Sequence, residues 1–115
     1  MASAVIQRQA IVILAAKGSY TSKPRPCVVI QADDFQHTDS VTLCLMTSAR
    51  VLGAPMLRID VDPSPANGLR EASQIQIDKI VTVPRSKIGE AVGRLEDAYM
   101  RRIDEAVRVF LDLDR

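Results

Sequence analysis

The stretch Lys23-Pro24-Arg25-Pro26-Cys27-Val28-Val29-Ile30-Gln31 is the strongest structural signal in the chain. Its prolines fix the backbone on either side of Arg25, and the apolar, β-branched run that follows predicts a buried strand. A guanidinium held at the mouth of a strand can bind a phosphate, because its planar fork matches phosphate oxygens and keeps its charge at neutral pH. The residues alone also allow a plain solubilising arginine in a turn before the strand.

On both sides of this stretch, apolar runs predict a series of short strands followed by one helix. Strands are expected over residues 10–15, 26–31, 41–46, 56–61, 72–77 and 80–83, with turns at 32–39 and 62–68. Apolar residues at three- and four-residue steps from Tyr99 to Leu111 predict an amphipathic helix, with Glu96 and Asp97 in its first turn. Because no βαβ alternation is present, we predict a mainly β fold, either a small barrel or a strongly bent sheet, with a C-terminal helix.

The composition is that of one ordinary globular domain spanning residues 1–115, with 47% hydrophobic and 25% charged residues. Aromatic residues make up only 3% and Trp is absent, which disfavours a platform that stacks bases. A net charge of +1 argues against strong nonspecific binding to nucleic acid. The apolar run from Ala10 to Ala16 is too short to span a membrane, and the first residues do not form a signal peptide. We therefore expect a cytoplasmic protein with no membrane association.

Cysteine and histidine usage predicts no cofactor and no metal site. Cys27 and Cys44 each lie inside an apolar run and are expected to be buried free thiols in a reducing compartment. The single histidine, His37, lies in a polar turn and cannot complete a zinc site.

Polar residues at the predicted strand ends are the remaining candidates for chemistry: Arg25, Thr47, Ser48, Gln76 and Asp78. RNA cleavage without a metal requires that the 2′-OH is deprotonated and aimed, that charge on phosphorus is stabilised and that the leaving 5′-oxygen is protonated. Arg25 suits charge stabilisation, Thr47 suits orientation and Asp78 suits proton transfer. Each also has a structural interpretation, Thr47 as a strand-terminal hydroxyl and Asp78 as a turn acid.

The order of these features resembles the MazF/PemK family of toxin endoribonucleases, within the CcdB/PemK-like superfamily. Nearly the whole chain contributes to the resemblance. The matching stretches are Ile11 to Leu14, Gly18-Ser19, Lys23 to Gln31, Val41 to Ser48, Gly68-Leu69, Ser73 to Val83, Ile88-Gly89, Gly93 to Leu95 and the C-terminal helix.

The resemblance implies an SH3-like barrel of short antiparallel strands with a C-terminal helix, usually a homodimer. It implies a toxin of a type II toxin–antitoxin system that cuts single-stranded RNA at specific sequences without a metal, leaving 2′,3′-cyclic phosphate and 5′-OH ends and so inhibiting translation and growth. The implied partners are single-stranded RNA and a cognate antitoxin with a disordered C-terminal tail.

Residue by residue, Arg25 matches the family's catalytic arginine, Thr47 the threonine that works with it, and Asp78 a proposed acid/base aspartate. Lys17, Ser19, Tyr20 and Lys23 lie in the loop that family members use near RNA and antitoxin. With Ser48 and Gln76 from the strand ends, they are the predicted RNA-binding residues.

Three positions depart from the family pattern. Gln9-Ala10 replaces Gly-Asp before the first strand, Gln76 stands where one branch has arginine, and Lys79 replaces a common glutamine. We expect the first to affect a turn and the others to alter RNA preference or lower activity.

Two other functions stay open: a CcdB-like gyrase poison that acts through its C-terminal helix, and a silent relative that only binds RNA or an antitoxin. The presence of both Arg25 and Thr47 favours the nuclease.

Overall fold

The structure, a computed structural model, describes residues 6–14 and 24–114. Six strands and one α-helix follow one another along the chain. They are β1 (Ala10–Leu14), β2 (Arg25–Val29), β3 (Ser40–Thr47), β4 (Arg58–Val61), β5 (Ser73–Pro84), β6 (Ile88–Arg94) and α1 (Asp97–Phe110), with 3₁₀ turns at Asp33–Phe35 and Arg85–Lys87.

All six strands belong to one sheet in the order β4-β5-β3-β2-β1-β6, and every neighbouring pair is antiparallel. The mainly β prediction with a C-terminal helix is confirmed. Hydrogen bonding does not close the barrel, because β4 and β6 stay unpaired with each other within the described residues. The chain before β5 crosses β6 instead, and the Arg94 N–H donates to the Ala66 carbonyl at 2.8 Å.

Two strand predictions need correction. The separate runs 72–77 and 80–83 form one strand, β5, whose pairing with β3 shifts register between Cys44 and Met46. Strand β6 was not predicted, because Gly89 and Gly93 interrupt it and none of its residues is fully buried. Such an edge strand lacks the apolar alternation by which sequence reasoning finds strands.

Alternation along the strands produces two apolar clusters on opposite faces of the sheet. In β1, Ile11 belongs to the cluster beneath α1 and Val12 to the other; in β2, Val28 and Cys27 divide in the same way. Neighbouring residues of a strand point to opposite faces, so one bent sheet supplies both cores.

Helix α1 packs against β4 and β5 through Met100, Ile103 and Ala106, which are buried. A methionine or isoleucine side chain such as Met100 or Ile103 contributes about 1.5–3 kcal/mol when fully buried. The prediction that the apolar stripe of this helix continues to Phe110 and Leu111 is wrong. These two residues are 45% and 50% exposed, and both lie beyond Ala106, the last buried residue of the helix. No described helix has the length and apolar character to cross a bilayer.

The structure accounts for the departure from the family pattern at Gln9-Ala10. The φ of 85° at Gln9 lies in the left-handed region that favours glycine. The side chain compensates, because its amide nitrogen donates to the Leu95 carbonyl at 2.5 Å and to Asp97 at 2.6 Å. The turn is therefore retained, and it ties the start of β1 to the start of α1.

Candidate active site

Arg25 is the first residue of β2, paired with Leu14 of β1. Pro24 and Pro26 flank it, and their rings restrict the backbone on which its side chain stands. The side chain is exposed. Within the part of the chain that the structure describes, the guanidinium has no hydrogen-bond or ion-pair partner. Its donors are therefore available to an anion.

Thr47 is the last residue of β3, opposite Gln74 of β5. It is 9% exposed, and its hydroxyl oxygen accepts a hydrogen bond from the Ala49 N–H at 3.0 Å. Since a hydroxyl also carries one donor, its proton remains available to a ligand. The Gln74 amide fixes the following loop by pairing with Val51 N–H and C=O at 2.8 and 3.0 Å.

Arg25, Thr47 and Ser48 line one open cavity of about 570 Å³, within the size range of ligand pockets. The structure thus brings together three of the predicted site residues. Its other lining residues are Ile13, Pro24, Pro26, Met46, Ala49, Gly68, Leu69, Arg70, Glu71, Ser73, Glu90 and Val92.

Gln76 and Asp78, also predicted for the site, do not line this cavity. Gln76 pairs with Arg58 of β4 in the sheet, and the Arg58 guanidinium donates to the Asp78 carboxylate. That hydrogen bond is the main reason why the pKa of Asp78 is lowered. Asp78 lies four residues beyond Gln74, roughly 13 Å along an extended strand, so its contacts are those of a structural ion pair.

Lys17, Ser19, Tyr20 and Lys23 belong to the segment 15–23, which is outside the described residues. Their predicted contacts with RNA stay predictions.

Sequence reasoning missed the wall of the cavity formed by Gly68, Leu69, Arg70 and Glu71, which we call the 68–71 wall. Its sequence signals were the turn ending in Asn67-Gly68 and the family match at Gly68-Leu69, and neither shows what the turn packs against.

A clasp of three side chains, Ser64, Asn67 and Glu96, holds this wall in place. The amide oxygen of Asn67 accepts from Ser64 N–H and Leu69 N–H, both at 3.0 Å. Its nitrogen donates to the Asp62 carbonyl at 2.9 Å and to Glu96 at 3.1 Å. Asn67 is fully buried, so these bonds are shielded from water.

Glu96 completes the clasp from the residue before α1. It accepts a 2.6 Å hydrogen bond from the Ser64 hydroxyl. This bond is the first cause of the lowered pKa of Glu96, and the bond from Asn67 acts in the same direction. The start of the helix is therefore coupled to the wall of the cavity.

Two glycines allow the wall to lie directly on β6. A Cβ on Gly68, where φ is +69°, would stand 2.1 Å from the Val92 carbonyl oxygen. A Cβ on Gly93 would stand 2.3 Å from the Asn67 carbonyl oxygen. Larger residues at either position would force the two backbones apart.

Cys27 and Cys44 are free and fully buried, as predicted. Burial raises the pKa of each thiol to about 12, so neither is a nucleophile at neutral pH. His37 is exposed, as predicted, and borders a second cavity away from Arg25. Among the described residues, His, Cys, Asp and Glu form no cluster of three that could hold a metal ion.

The fold and the cavity define a class of protein: a small antiparallel β protein with a C-terminal helix and an arginine-bearing cleft suited to a phosphodiester. Residues 7–111 match the family of PemK-like, MazF-like toxins of type II toxin–antitoxin systems, and the chain belongs to that family.

One relative supports this membership, and two solved structures share the fold. The chain is 46% identical over 108 residues to a probable endoribonuclease MazF of Mycolicibacterium smegmatis, covering 94% of this chain and 98% of the relative. A MazE-MazF structure from Deinococcus radiodurans superposes with a TM-score of 0.80 at 16% identity, covering 97% of this chain and 100% of that one. An endoribonuclease in complex with its cognate antitoxin, from a mycobacterial species, gives a TM-score of 0.72 at 20% identity, covering 95% and 97%.

Proposed function

We propose that this toxin-family protein is a sequence-specific endoribonuclease that cuts single-stranded RNA without a metal ion, leaving 2′,3′-cyclic phosphate and 5′-OH ends. The observation that carries the proposal is the meeting of Arg25, Thr47 and Ser48 in one open cavity. The 46% identical relative bears the name of an endoribonuclease.

Arg25 supplies the positive charge for the step in which charge builds on phosphorus. Its donors have no partner among the described residues, so binding a phosphate breaks no contact with that part of the chain. A preorganised donor of this kind typically contributes about 10²–10³-fold to the rate.

Thr47 orients the reacting groups. Its hydroxyl oxygen is engaged by Ala49 N–H, which leaves the O–H to donate to a phosphate oxygen or to the 2′-oxygen. Ser48 follows it on the cavity lining and is proposed to contact RNA. Gln76, which lies on β5 opposite Arg58 and outside that lining, is also proposed to contact RNA. Asp78 as an acid or base stays a prediction of the resemblance, and its ion pair with Arg58 favours a structural role.

We also propose that the protein acts as a cytoplasmic homodimer and is neutralised by an antitoxin with a disordered C-terminal tail. One structurally similar endoribonuclease is recorded with its cognate antitoxin. The loop residues Lys17, Ser19, Tyr20 and Lys23 are proposed to contact RNA or antitoxin. Sedimentation of the purified protein, alone and with the antitoxin, tests both assemblies.

The decisive experiment is incubation of the purified protein with a long mixed-sequence RNA in excess EDTA, with fragment ends mapped. Arg25→Ala is compared with Arg101→Ala, an exposed arginine of α1 away from the cavity. We expect discrete cuts by the parent and by Arg101→Ala, and a loss of about 10²-fold or more for Arg25→Ala. A folded parent that makes no cuts would refute the nuclease and direct the next assay to DNA gyrase.

A further inference from the structure

The proposed cleavage needs a group that accepts the 2′-OH proton, and the inference below rests on that function. Four titratable side chains line the cavity within the described residues: Arg25, Arg70, Glu71 and Glu90. An arginine does not give up its proton in proteins and so cannot take another. Among the described residues of this lining, the candidates for the acceptor are therefore Glu71 and Glu90.

Position in the sheet separates the two carboxylates. Glu71 comes two residues before β5, and the Ser73 hydroxyl donates to the Glu71 carbonyl at 3.0 Å. The next residue, Gln74, is the cross-strand partner of Thr47. Glu71 is thus joined by a short, hydrogen-bonded connection to the residue that orients the reacting groups.

Glu90 lies on the far side of β1. Strands β1 and β2 separate β6 from β3, which places Glu90 three strand spacings, about 14 Å along the sheet, from the strand that carries Thr47, whereas β5, which follows Glu71, is the direct neighbour of that strand. Glu90 also borders the second cavity, beside His37 and Arg85. It stands at the rim between two cavities, whereas Glu71 borders only the one that holds Arg25 and Thr47.

The backbone that carries Glu71 is held at both ends. On one side, the clasp fixes Asn67 and Leu69, and Gly68 presses against Val92 of β6. On the other side, Ser73 begins β5 and is 3% exposed. Glu71 is itself exposed, but these contacts on both sides fix the backbone that carries it on the cavity lining. A proton acceptor requires a fixed position, because proton transfer depends on hydrogen-bond reach.

The Glu71 carboxylate is also unengaged. Within the described residues its side chain has no hydrogen bond or ion pair, although Arg70 is its neighbour in sequence. Both oxygens can therefore receive a hydroxyl group of the substrate.

We propose that Glu71 is the proton acceptor of the RNA-cleaving reaction. The 2′-O–H proton passes to the Glu71 carboxylate while the 2′-oxygen bonds to phosphorus and the bond from phosphorus to the 5′-oxygen breaks. The 5′-oxygen takes a proton from water, and the Glu71 carboxyl releases its proton to the resulting hydroxide. The products are a 2′,3′-cyclic phosphate and a 5′-OH, with no net change in protons and no redox step.

The test uses the full-length protein and a short RNA that spans the strongest cut mapped in the long RNA. Glu71→Gln keeps the size and shape of the side chain but replaces one acceptor oxygen with an NH₂ donor and removes the charge, so it cannot accept the proton. We expect its single-turnover rate to fall by about 10²–10⁴-fold. Binding of the same RNA with a 2′-deoxy nucleotide at the cut, which cannot react, should stay at the parent's affinity.

Three further variants sharpen the comparison. Glu105→Gln, on the exposed face of α1, should match the parent. Glu90→Gln should retain far more activity than Glu71→Gln. Glu71→Asp keeps a carboxylate and should recover part of the rate with an acidic limb in its pH profile, a limb that Glu71→Gln lacks.

Each other outcome overturns a defined statement. Suppose that the parent cuts RNA, that Arg25→Ala fails to cut it, and that Glu71→Gln cuts it at the parent's rate. The role of Glu71 is then refuted, while the proposal that the protein is a nuclease stands. If the affinity of Glu71→Gln for the deoxy RNA falls by the same factor as its cleavage rate, Glu71 binds RNA and does not transfer the proton. If Glu90→Gln shows the larger loss, Glu90 is the acceptor. If the folded parent does not cut RNA, the nuclease and the role of Glu71 fall together.

Discussion

Gly68→Ala and Gly53→Ala form a matched pair that measures how much the close approach of the 68–71 wall to β6 contributes to stability. Both glycines have positive φ, +69° and +81°. An L-residue in this region costs about 1–2 kcal/mol, so both substitutions carry that penalty. The new Cβ at residue 53 meets nothing within 4 Å, whereas the one at residue 68 would lie 2.1 Å from the Val92 carbonyl oxygen.

Relief of that contact requires the wall to move away from β6. The movement breaks the 2.8 Å bond from Arg94 N–H to the Ala66 carbonyl and loosens the hydrogen bonds of Asn67. At about 1 kcal/mol for each bond, the loss of two or three adds about 2–3 kcal/mol. We therefore expect Gly53→Ala to lower the free energy of unfolding by about 1–2 kcal/mol and Gly68→Ala by about 3–5 kcal/mol.

The assay is urea unfolding followed by circular dichroism, with all proteins at one concentration because an oligomer's stability depends on it. Cleavage of the mapped RNA is measured below the unfolding transition. Gly68→Ala should also cleave slowly, because the wall carries Glu71, whereas Gly53→Ala should cleave as the parent does. Equal losses of stability in the two variants would show that the approach to Val92 imposes no constraint.

Three other properties can be checked directly. The thiols of Cys27 and Cys44, with pKa values raised to about 12, should resist iodoacetamide in the folded protein and react in urea; fast native alkylation would contradict their burial. Because folding lowers the pKa of Glu96 below its ordinary 4.5, its contribution to stability is present above that value and lost as pH falls through the lower folded value. Urea midpoints of Glu96→Gln should therefore show a weaker acid dependence than the parent's. Asp78→Asn should cost about 1–3 kcal/mol by depriving Arg58 of its partner, with a rate loss far below the roughly 10²-fold expected of a missing proton acceptor; a full loss of cleavage with intact stability would return Asp78 to the mechanism.

The sequence predicted the features that depend on local pattern. Continuous apolar runs placed β1, β2 and β3 within two residues of their bounds, and the three- and four-residue period placed α1. The meeting of Arg25 and Thr47 was predicted because each stands at the end of a recognisable strand and because the order of motifs matches a known family.

The missed features depend on contacts between distant parts of the chain. Asn67 looks like a turn residue in sequence, and only the fold shows that it is fully buried and bonded to Glu96, 29 residues later. The same holds for Gly93. A side chain at this position would collide with the backbone of Asn67, which lies directly against it in the fold. Asp78 suited catalysis by position in a motif, but its neighbour Arg58 comes from another strand.

The clasp has a consequence for the synthesis of this chain on the ribosome. Arg25, Thr47 and Glu71 emerge early, but the wall that carries Glu71 is secured by Gly93, Arg94 and Glu96, and β1 gains its second neighbour only with β6. A nascent chain that stops before these residues has every proposed catalytic group and no completed cleft. We therefore expect a nuclease built in this order to be inactive towards the message being translated until its last fifth has been made.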